Sequence, residues 1–487
     1  MTTTINLRKL LHRKAWEFCT PSPSNTAAGS FFLGDKSGLL PADDANYLIN
    51  GTSSIWNYNA EQDAWIQVPS SGIAGSFGSG SCGEFRALGA PGGTIQNTAT
   101  GGSTTTIITN RTIVRDIRGC KIRIVGGSGA GYEGKIESNT IGANAVITVT
   151  PAASVAFDAT TVYQIWSGSV WFFNAGSGAV GFAVYDRATN AWTQKSVTGL
   201  PTSWGTTGQL VSTGSAEGAF ETGTSTGSNT STTLINSAKS WPTNAYANAQ
   251  VRIVSGTGAG QVRTVASNTA TTLTVSAAWT VTPDATSVYS IEGNDDYMYL
   301  LGNNSANMYR YTISTNTWVT ITPVAARGAS LAGGGNADWI NSVADPDWQG
   351  AQGKPLMQTG TLVKQNGRYI YSFRGAGSSA LDVYDISANT WIANTYGGQM
   401  ETFNTGSCSV DWNGNIYIQK EGTGRIFRFN VAKNYLEAFA TNAYPQSTTV
   451  DGDKLVVLPY IDGATTVPFL YVIQHSRTEL LRMIVIG

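Results

Sequence analysis

One spacing constrains this chain more than any other. An aromatic or apolar residue closes a β-type run, and Trp or Leu follows seven positions later, six times over. The pairs are Tyr58 and Trp65, Tyr185 and Trp192, Tyr311 and Trp318, Tyr384 and Trp391, Phe429 and Leu436, and Ile473 and Leu480. A short polar turn lies between partners. Asn190, Asn316, Asn389 and Asn434 stand two residues before the last position of their units, and Asp63 stands there in the first. Asn and Asp tolerate left-handed backbone angles and bond their own turn, so each unit reads as strand, tight turn, strand. A hairpin recurring every ~45 to ~130 residues predicts a propeller or another closed β array carrying insertions.

Length alone, 487 residues, suggests about three domains. The repeats argue instead for one large all-β body. Only 13% of residues are charged, against the usual ~25%, and the net charge is −1. Nothing global points to nucleic acid or to an anionic membrane surface. Hydroxyls, amides and 56 Gly supply the polarity. Such a surface suits an extracellular assembly or a virus particle, and equally a turn-rich β protein. Cys19, Cys82, Cys120 and Cys408 stand at no metal-ligand spacing, so free thiols are expected. No signal peptide is expected, because residues 5–18 lack an uninterrupted apolar stretch. No run reaches the ~18 apolar residues of a membrane span.

The chain divides into an N-terminal arm and linker (1–30), three stretches of the array (31–94, 167–221, 293–487) and two insertions (95–166, 222–292). Residues 1–20 form the one helix candidate, with Leu7, Leu10 and Leu11 on one side and Arg8, Lys9, Arg13 and Lys14 mostly on the other. With Trp16 they are candidates for docking on a neighbouring subunit; packing on the chain's own body is the other reading. The insertions are copies of each other. LysIleArgIleValGlyGlySerGlyAlaGly (121–131) matches GlnValArgIleValSerGlyThrGlyAlaGly (250–260) at an offset of 129. AspAlaThrThrValTyrGlnIle (158–165) matches AspAlaThrSerValTyrSerIle (284–291) at 126, the offset that also separates Trp192 from Trp318. A whole unit with its insertion already in place was duplicated.

The hairpins resemble kelch-type propeller blades, best in Tyr185-Asp186…Asn190-Ala-Trp192 and Tyr384-Asp385…Asn389-Thr-Trp391. The family's double glycine after the second strand is missing: those positions read PheAsnAlaGly (173–176), LeuGlyAsnAsn (301–304) and PheArgGlyAla (373–376). The expectation is an all-β fold, a six-bladed kelch-like β-propeller with two homologous small β-domains inserted in adjacent blades. The insertions, around residues 255–275 and 283–289, resemble small β modules of structural proteins in tailed bacteriophages. That resemblance implies a virion protein, non-enzymatic and homo-oligomeric, with other tail, collar or capsid proteins as partners. A host-surface glycan is a further candidate partner.

Sites for chemistry are few. Gly129-Ala-Gly131-Tyr-Glu-Gly134 satisfies GxGxxG, but β pattern lies on both sides and Arg263 replaces the last Gly in the second copy, so a hairpin turn is expected. His12 and His475 are the only histidines, too few for an imidazole metal site. Asp43 with Asp44, Asp295 with Asp296, Asp345 with Asp347, and Asp451 with Asp453 all lie in turn-like sequence, with a calcium site around Asp345 and Asp347 as the alternative. No catalytic residue, cofactor or metal is therefore assigned. Trp279, Trp339 and Trp348 fall outside the repeat and are candidates for surface contact with a partner.

Overall fold

The structure, a computed structural model, describes residues 16–25, 30–34, 46–49, 54–60, 62–73, 78, 81–86, 94–111, 113, 120–166, 169–175, 180–186, 191–205, 208–213, 219–294, 296–302, 306–327, 336–339, 368–374, 377–403, 408–412, 414–420, 423–439, 454–462, 465–473 and 478–485. Among these residues every regular element is a strand. Six antiparallel sheets follow one another along the chain. Sheet 1 holds Phe31–Gly34, Asn46–Ile49, Ile55–Asn59 and Ala64–Val68; sheet 2 holds Cys82–Arg86, Ser169–Ala175, Val180–Asp186 and Ala191–Gln194. Sheet 3 holds Gly208–Ser212, Tyr297–Gly302, Met308–Thr312 and Thr317–Ile321; sheet 4 holds Asn336–Trp339, Tyr369–Phe373, Leu381–Asp385 and Thr390–Asn394. Sheet 5 holds Cys408–Trp412, Asn415–Lys420, Arg425–Asn430 and Tyr435–Ala438, joined by the parallel pair Gly397–Gly398.

Sheet 6 holds Lys454–Asp462, Thr465–Ile473 and Leu480–Ile484, and its outer strand is Glu17–Cys19 from the other end of the chain. Glu17 pairs with Arg482 and Cys19 with Leu480. The helix expected over 1–20 is therefore corrected at these residues. Pairing with an open sheet edge outweighs a helical pattern that offers no covered face.

The first strands of consecutive sheets touch in turn, from sheet 1 through sheet 6, and that of sheet 6 touches sheet 1. Apolar clusters fill the spaces between neighbours. Trp171, Phe182, Tyr309 and Trp318 lie between sheets 2 and 3, and Phe373, Ile416 and Phe429 between sheets 4 and 5. Sheets 5 and 6 enclose Tyr417, Val457 and Leu470; sheet 6 meets sheet 1 at Tyr471 and Tyr58. The body is β-propeller-like. A sheet packed on both faces loses the inside–outside alternation, and Tyr369–Phe373 and Leu381–Asp385 bury every residue.

All six spaced pairs are direct cross-strand partners. The first five join the third and fourth strands of sheets 1–5. Ile473 and Leu480 join the second and third strands of sheet 6, so the sixth pair is out of phase; Glu17–Cys19 takes the fourth place. Asp63, Asn316, Asn389 and Asn434 adopt the left-handed angle expected of them, with φ of 51°, 53°, 50° and 51°. The paired Tyr reaches the same residue. Tyr58, Tyr311 and Tyr384 donate to Asp63, Asn316 and Asn389 side-chain oxygens at 2.5, 2.6 and 2.7 Å. Burial pushes these phenols up, so they remain donors at neutral pH.

Asn190 lies outside the described residues, and the other four turn residues also grip the segment leaving the preceding sheet. Asp63 accepts the Thr20 amide at 2.8 Å and Asn316 the Ser196 amide at 2.9 Å. Asn389 donates to the Thr322 carbonyl at 3.0 Å and Asn434 to the Thr395 carbonyl at 2.9 Å. Trp65, Trp192 and Trp318 add indole bonds to Thr20, Pro69 and Ser196 carbonyls at 3.0, 2.8 and 3.0 Å. Replacing Asn389 or Asn316 by Ala should cost about 1–3 kcal/mol in denaturant unfolding, from the left-handed angle and the lost bonds. Asn→Gly should recover only the backbone share, and a neutral Asn→Ala would remove the clasp from the account.

Candidate functional site: the paired modules

Two further sheets leave the array at the same place in neighbouring sheets. The first module leaves after Cys82–Arg86 and returns at Ser169–Ala175; the second leaves after Gly208–Ser212 and returns at Tyr297–Gly302. In the first, the strand order is Thr94–Thr98, Val162–Trp166, Lys121–Gly126, Glu133–Asn139, Val146–Thr150, Thr106–Ile108, Gly101–Gly102. In the second it is Ala219–Thr224, Val288–Glu292, Gln250–Ser255, Val262–Asn268, Thr272–Val275, Thr233–Ile235, the same path without the last short strand. Alternating Val, Ile and Thr put Ile122, Ile136 and Tyr163 inside the first, and Val251, Val265 and Tyr289 inside the second.

The glycine motif is the hairpin loop expected, with a strand on each side. Gly127, Gly129 and Gly131 and their counterparts Gly256, Gly258 and Gly260 all take positive φ. The Gly131 amide bonds the Ile124 carbonyl at 2.9 Å, and that of Gly260 bonds Ile253 at 2.8 Å. An aspartate locks each loop. Asp158 accepts from Ser128 at 2.5 Å and from the Thr160 amide at 2.7 Å; Asp284 accepts from Thr257 and from the Thr286 amide, both at 2.7 Å. The Ser128 and Thr160 bonds hold the Asp158 carboxyl below its ordinary value, and those of Thr286 and Thr257 do so for Asp284.

The modules meet head to tail. In each, one residue of the third strand in the order above is bulged out of register: Val125 between Ile124 and Gly126, and Val254 between Ile253 and Ser255. A bulged residue leaves its backbone unpaired in the ladder. The loop of the second module covers the bulge of the first so closely that a Cβ on Gly260 would lie 2.4 Å from the Val125 carbonyl oxygen. Arg252 bonds Glu292 at 3.0 Å and reaches Glu133 of the first module at 3.9 Å. The second module also rests on sheet 4: Ser387 donates to the Ala245 carbonyl at 2.9 Å, and Asn248 to that of Ile386 at 3.2 Å. The cleft there, lined by Thr213, Phe220, Tyr246, Asn248 and Arg368, has room for about one water molecule.

Among the described residues no group of three metal-binding side chains exists. Asp296 is a turn residue that takes the Ser314 amide at 2.6 Å; its neighbour and the other candidate acids, with His12 and His475, lie outside the described residues. So do Arg8, Lys9, Arg13, Lys14 and Trp348. Trp16 follows the second of its two readings, packing on the chain's own body, and the surface expectation for Trp279 is corrected. Trp16 packs on the apolar cluster between sheets 5 and 6, because the adjoining strand completes sheet 6. Trp279 is 5% exposed, in the core of the second module with Trp241 and Tyr289, and Arg263 lies 5.6 Å from its ring centroid. Trp339 sits on the first strand of sheet 4, opposite Ile370. Cys19, Cys82 and Cys120 are buried thiols, and burial pushes Cys19 and Cys82 up, away from the thiolate.

No family model matches the chain, and no curated protein does. The likeness to solved structures is distant. TolB from Acinetobacter baumannii is 10% identical over 77% of this chain and 65% of its own, with a TM-score of 0.27. The GH74 xyloglucanase from Xanthomonas campestris is 10% identical over 97% of this chain and 47% of its own, with a TM-score of 0.34. This chain thus spans under two thirds of either.

Sequence reasoning passed over several residues that matter. Gly72, Gly199 and Gly398 stand seven after Trp65, Trp192 and Trp391, a spacing that was open to inspection. All have positive φ, and a Cβ on Gly199 would lie 2.3 Å from the Trp318 carbonyl. The module locks carry a pH dependence. Their carboxyls are lowered in the folded state, so they contribute stability above the unfolded pKa and lose it as pH falls through the folded one. Melting temperature should drop as pH goes below ~4. The Asp158→Asn, Asp284→Asn double variant should drop less steeply over that window; an unchanged slope would remove the locks as its source.

Proposed function

We propose that the six sheets are the blades of a divergent kelch-like propeller with two homologous domains inserted in adjacent blades. On this reading the chain is a structural, non-enzymatic component of a tailed bacteriophage particle, placed in the tail, collar or adsorption apparatus. It works as a rigid oligomeric platform, by shape and multivalency. The observation that carries the reading is the joined pair of duplicate modules. A stiff array displays two copies of one surface in fixed relation, which serves assembly and offers little to a single small substrate. The phage setting rests on the resemblance of those modules to parts of virion proteins. A capsid decoration or head fibre is the alternative position. Host-glycan binding loses one anchor, because Trp279 is committed to a core.

Purified particles, resolved by gel and peptide mass spectrometry, should contain this chain in fixed stoichiometry. Cryo-electron microscopy of the same particles then separates tail from capsid. A chain that stays behind in the soluble fraction while complete particles form would overturn the virion reading.

A further inference from the structure

The seam between sheets 3 and 4 is polar at places where other seams are apolar. Ser372 stands two residues after Ile370, the partner of Tyr384. Counted in the same way from Val170, Met298 and Ile416, that place holds Phe172, Leu300 and Ile418 in sheets 2, 3 and 5. Asp382 stands two before Tyr384, where those sheets have Ala183, Tyr309 and Phe427. These equivalents are all buried in apolar clusters. An apolar seam has no charge to neutralise, so the seam with Ser372 and Asp382 depends on how its charges are balanced.

The balance is incomplete. Arg374 holds Asp382 by two bonds, from Nε and Nη2, both at 2.8 Å. Arg327 reaches the same carboxylate by a single bond of 3.3 Å, with its side chain 2% exposed. Arg327 Nη2 also donates to Ser372 Oγ at 2.5 Å, and that hydroxyl donates to Gln209 Oε1 of sheet 3 at 3.4 Å. Gln209 is 5% exposed, and its Nε2 has no acceptor among the described residues. One carboxylate thus serves two guanidinium groups, and a buried amide donor lies beside them unmatched. Burial pulls the Arg327 guanidinium down to about 10 in spite of Asp382, as expected of a cation short of negative charge.

We propose that this seam binds a small monovalent anion, chloride in a physiological medium, between the Arg327 guanidinium and the Gln209 amide. The groups on offer are N–H donors next to an under-neutralised cation, and the carboxylate there is already saturated by guanidinium, so the site suits an anion and not a cation. One negative charge added to Asp382 matches Arg327 and Arg374; a divalent oxyanion would overshoot. Burial sets the size. Ser372 is fully buried and Gln209 nearly so, which keeps out a partner's side chain and a phosphoester alike. The ion ties the first strand of sheet 3 to the segment that enters sheet 4, and the stability of the array then depends on halide. This goes beyond the platform reading and stands or falls without it.

The test is thermal unfolding of the full chain in sodium chloride, sodium bromide or sodium gluconate, all at one ionic strength of about 0.15 M. The wild type should melt higher in either halide than in gluconate, and the gain should grow with halide concentration. Gln209→Leu should need about tenfold more chloride for the same gain, the worth of a hydrogen bond to a charged group. Arg327→Met leaves Asp382 paired with Arg374 alone and should lose the gain altogether. Circular dichroism reports whether each variant folds. Crystals of the wild type grown in bromide should show an anomalous peak in contact with Gln209 Nε2 and Arg327, a readout that needs no variant. Equal melting in halide and gluconate overturns the proposal. So does a halide gain that folded Gln209→Leu and Arg327→Met chains keep in full, or a seam that holds water and gives no anomalous signal in bromide.

Discussion

The structure depends on one recurring interaction, the grip of the outer hairpin turn in sheets 1, 3, 4 and 5 on the chain leaving the sheet before it. A single Asn or Asp performs three tasks there. It supplies a left-handed backbone angle, receives a buried Tyr hydroxyl, and bonds the backbone of the neighbouring sheet. None of these is large alone, at about 0.5–1.5 kcal/mol for a hydrogen bond. Repetition changes their effect, because sheets 1, 3, 4 and 5 are each held at the same point by the sheet before them. Sheet 1 is gripped in the same way through Thr20, the residue after the N-terminal strand.

Covering sheets on both faces has a chemical consequence. Strands buried on both sides still contain carboxylates, and an unpaired buried charge is costly. Asp382 is therefore flanked by Arg327 and Arg374, at 3.3 and 2.8 Å, and Asp385 is held by Arg368 at 2.8 Å. Arg327 comes from the segment between sheets 3 and 4 and also bonds Ser372 at 2.5 Å. Its burial pulls the guanidinium down to about 10, which leaves it charged at neutral pH. It lies 5.0 Å from the Trp391 ring centroid, at the seam where the indole N–H, unlike those of Trp65, Trp192 and Trp318, has no acceptor among the described residues. One seam thus substitutes a buried ion pair and a stacked cation for the indole bond. These charges serve the packing of the array.

What could be read from the sequence was whatever is local. The hairpins were legible because a turn that needs left-handed angles demands Asn, Asp or Gly at a fixed distance from its strands, and Asn316 and Asn389 met that demand. The module pair was legible because duplication leaves matching words at one offset. The rest depends on partners far apart in the chain. Glu17 and Arg482 are 465 positions apart, and three residues carry no period by which to choose between helix and strand. Trp279 could not be assigned to surface or core without knowing that Trp241 and Tyr289 close around it. The approach of Gly260 to Val125 follows from a bulge, which is a register shift between strands and invisible in either strand alone.

The claim beneath all of this is that the two ends of the chain meet in one sheet and hold the array as a single body. Hydrogen–deuterium exchange of the N-terminal strand measures that most directly. The account predicts that the amides of Glu17–Cys19 exchange as slowly as those of Leu480–Ile484, both at the rate of global unfolding. Exchange of Glu17–Cys19 within seconds, with Leu480–Ile484 still protected, would mean that the N-terminal strand is not part of the sheet and would contradict the closure.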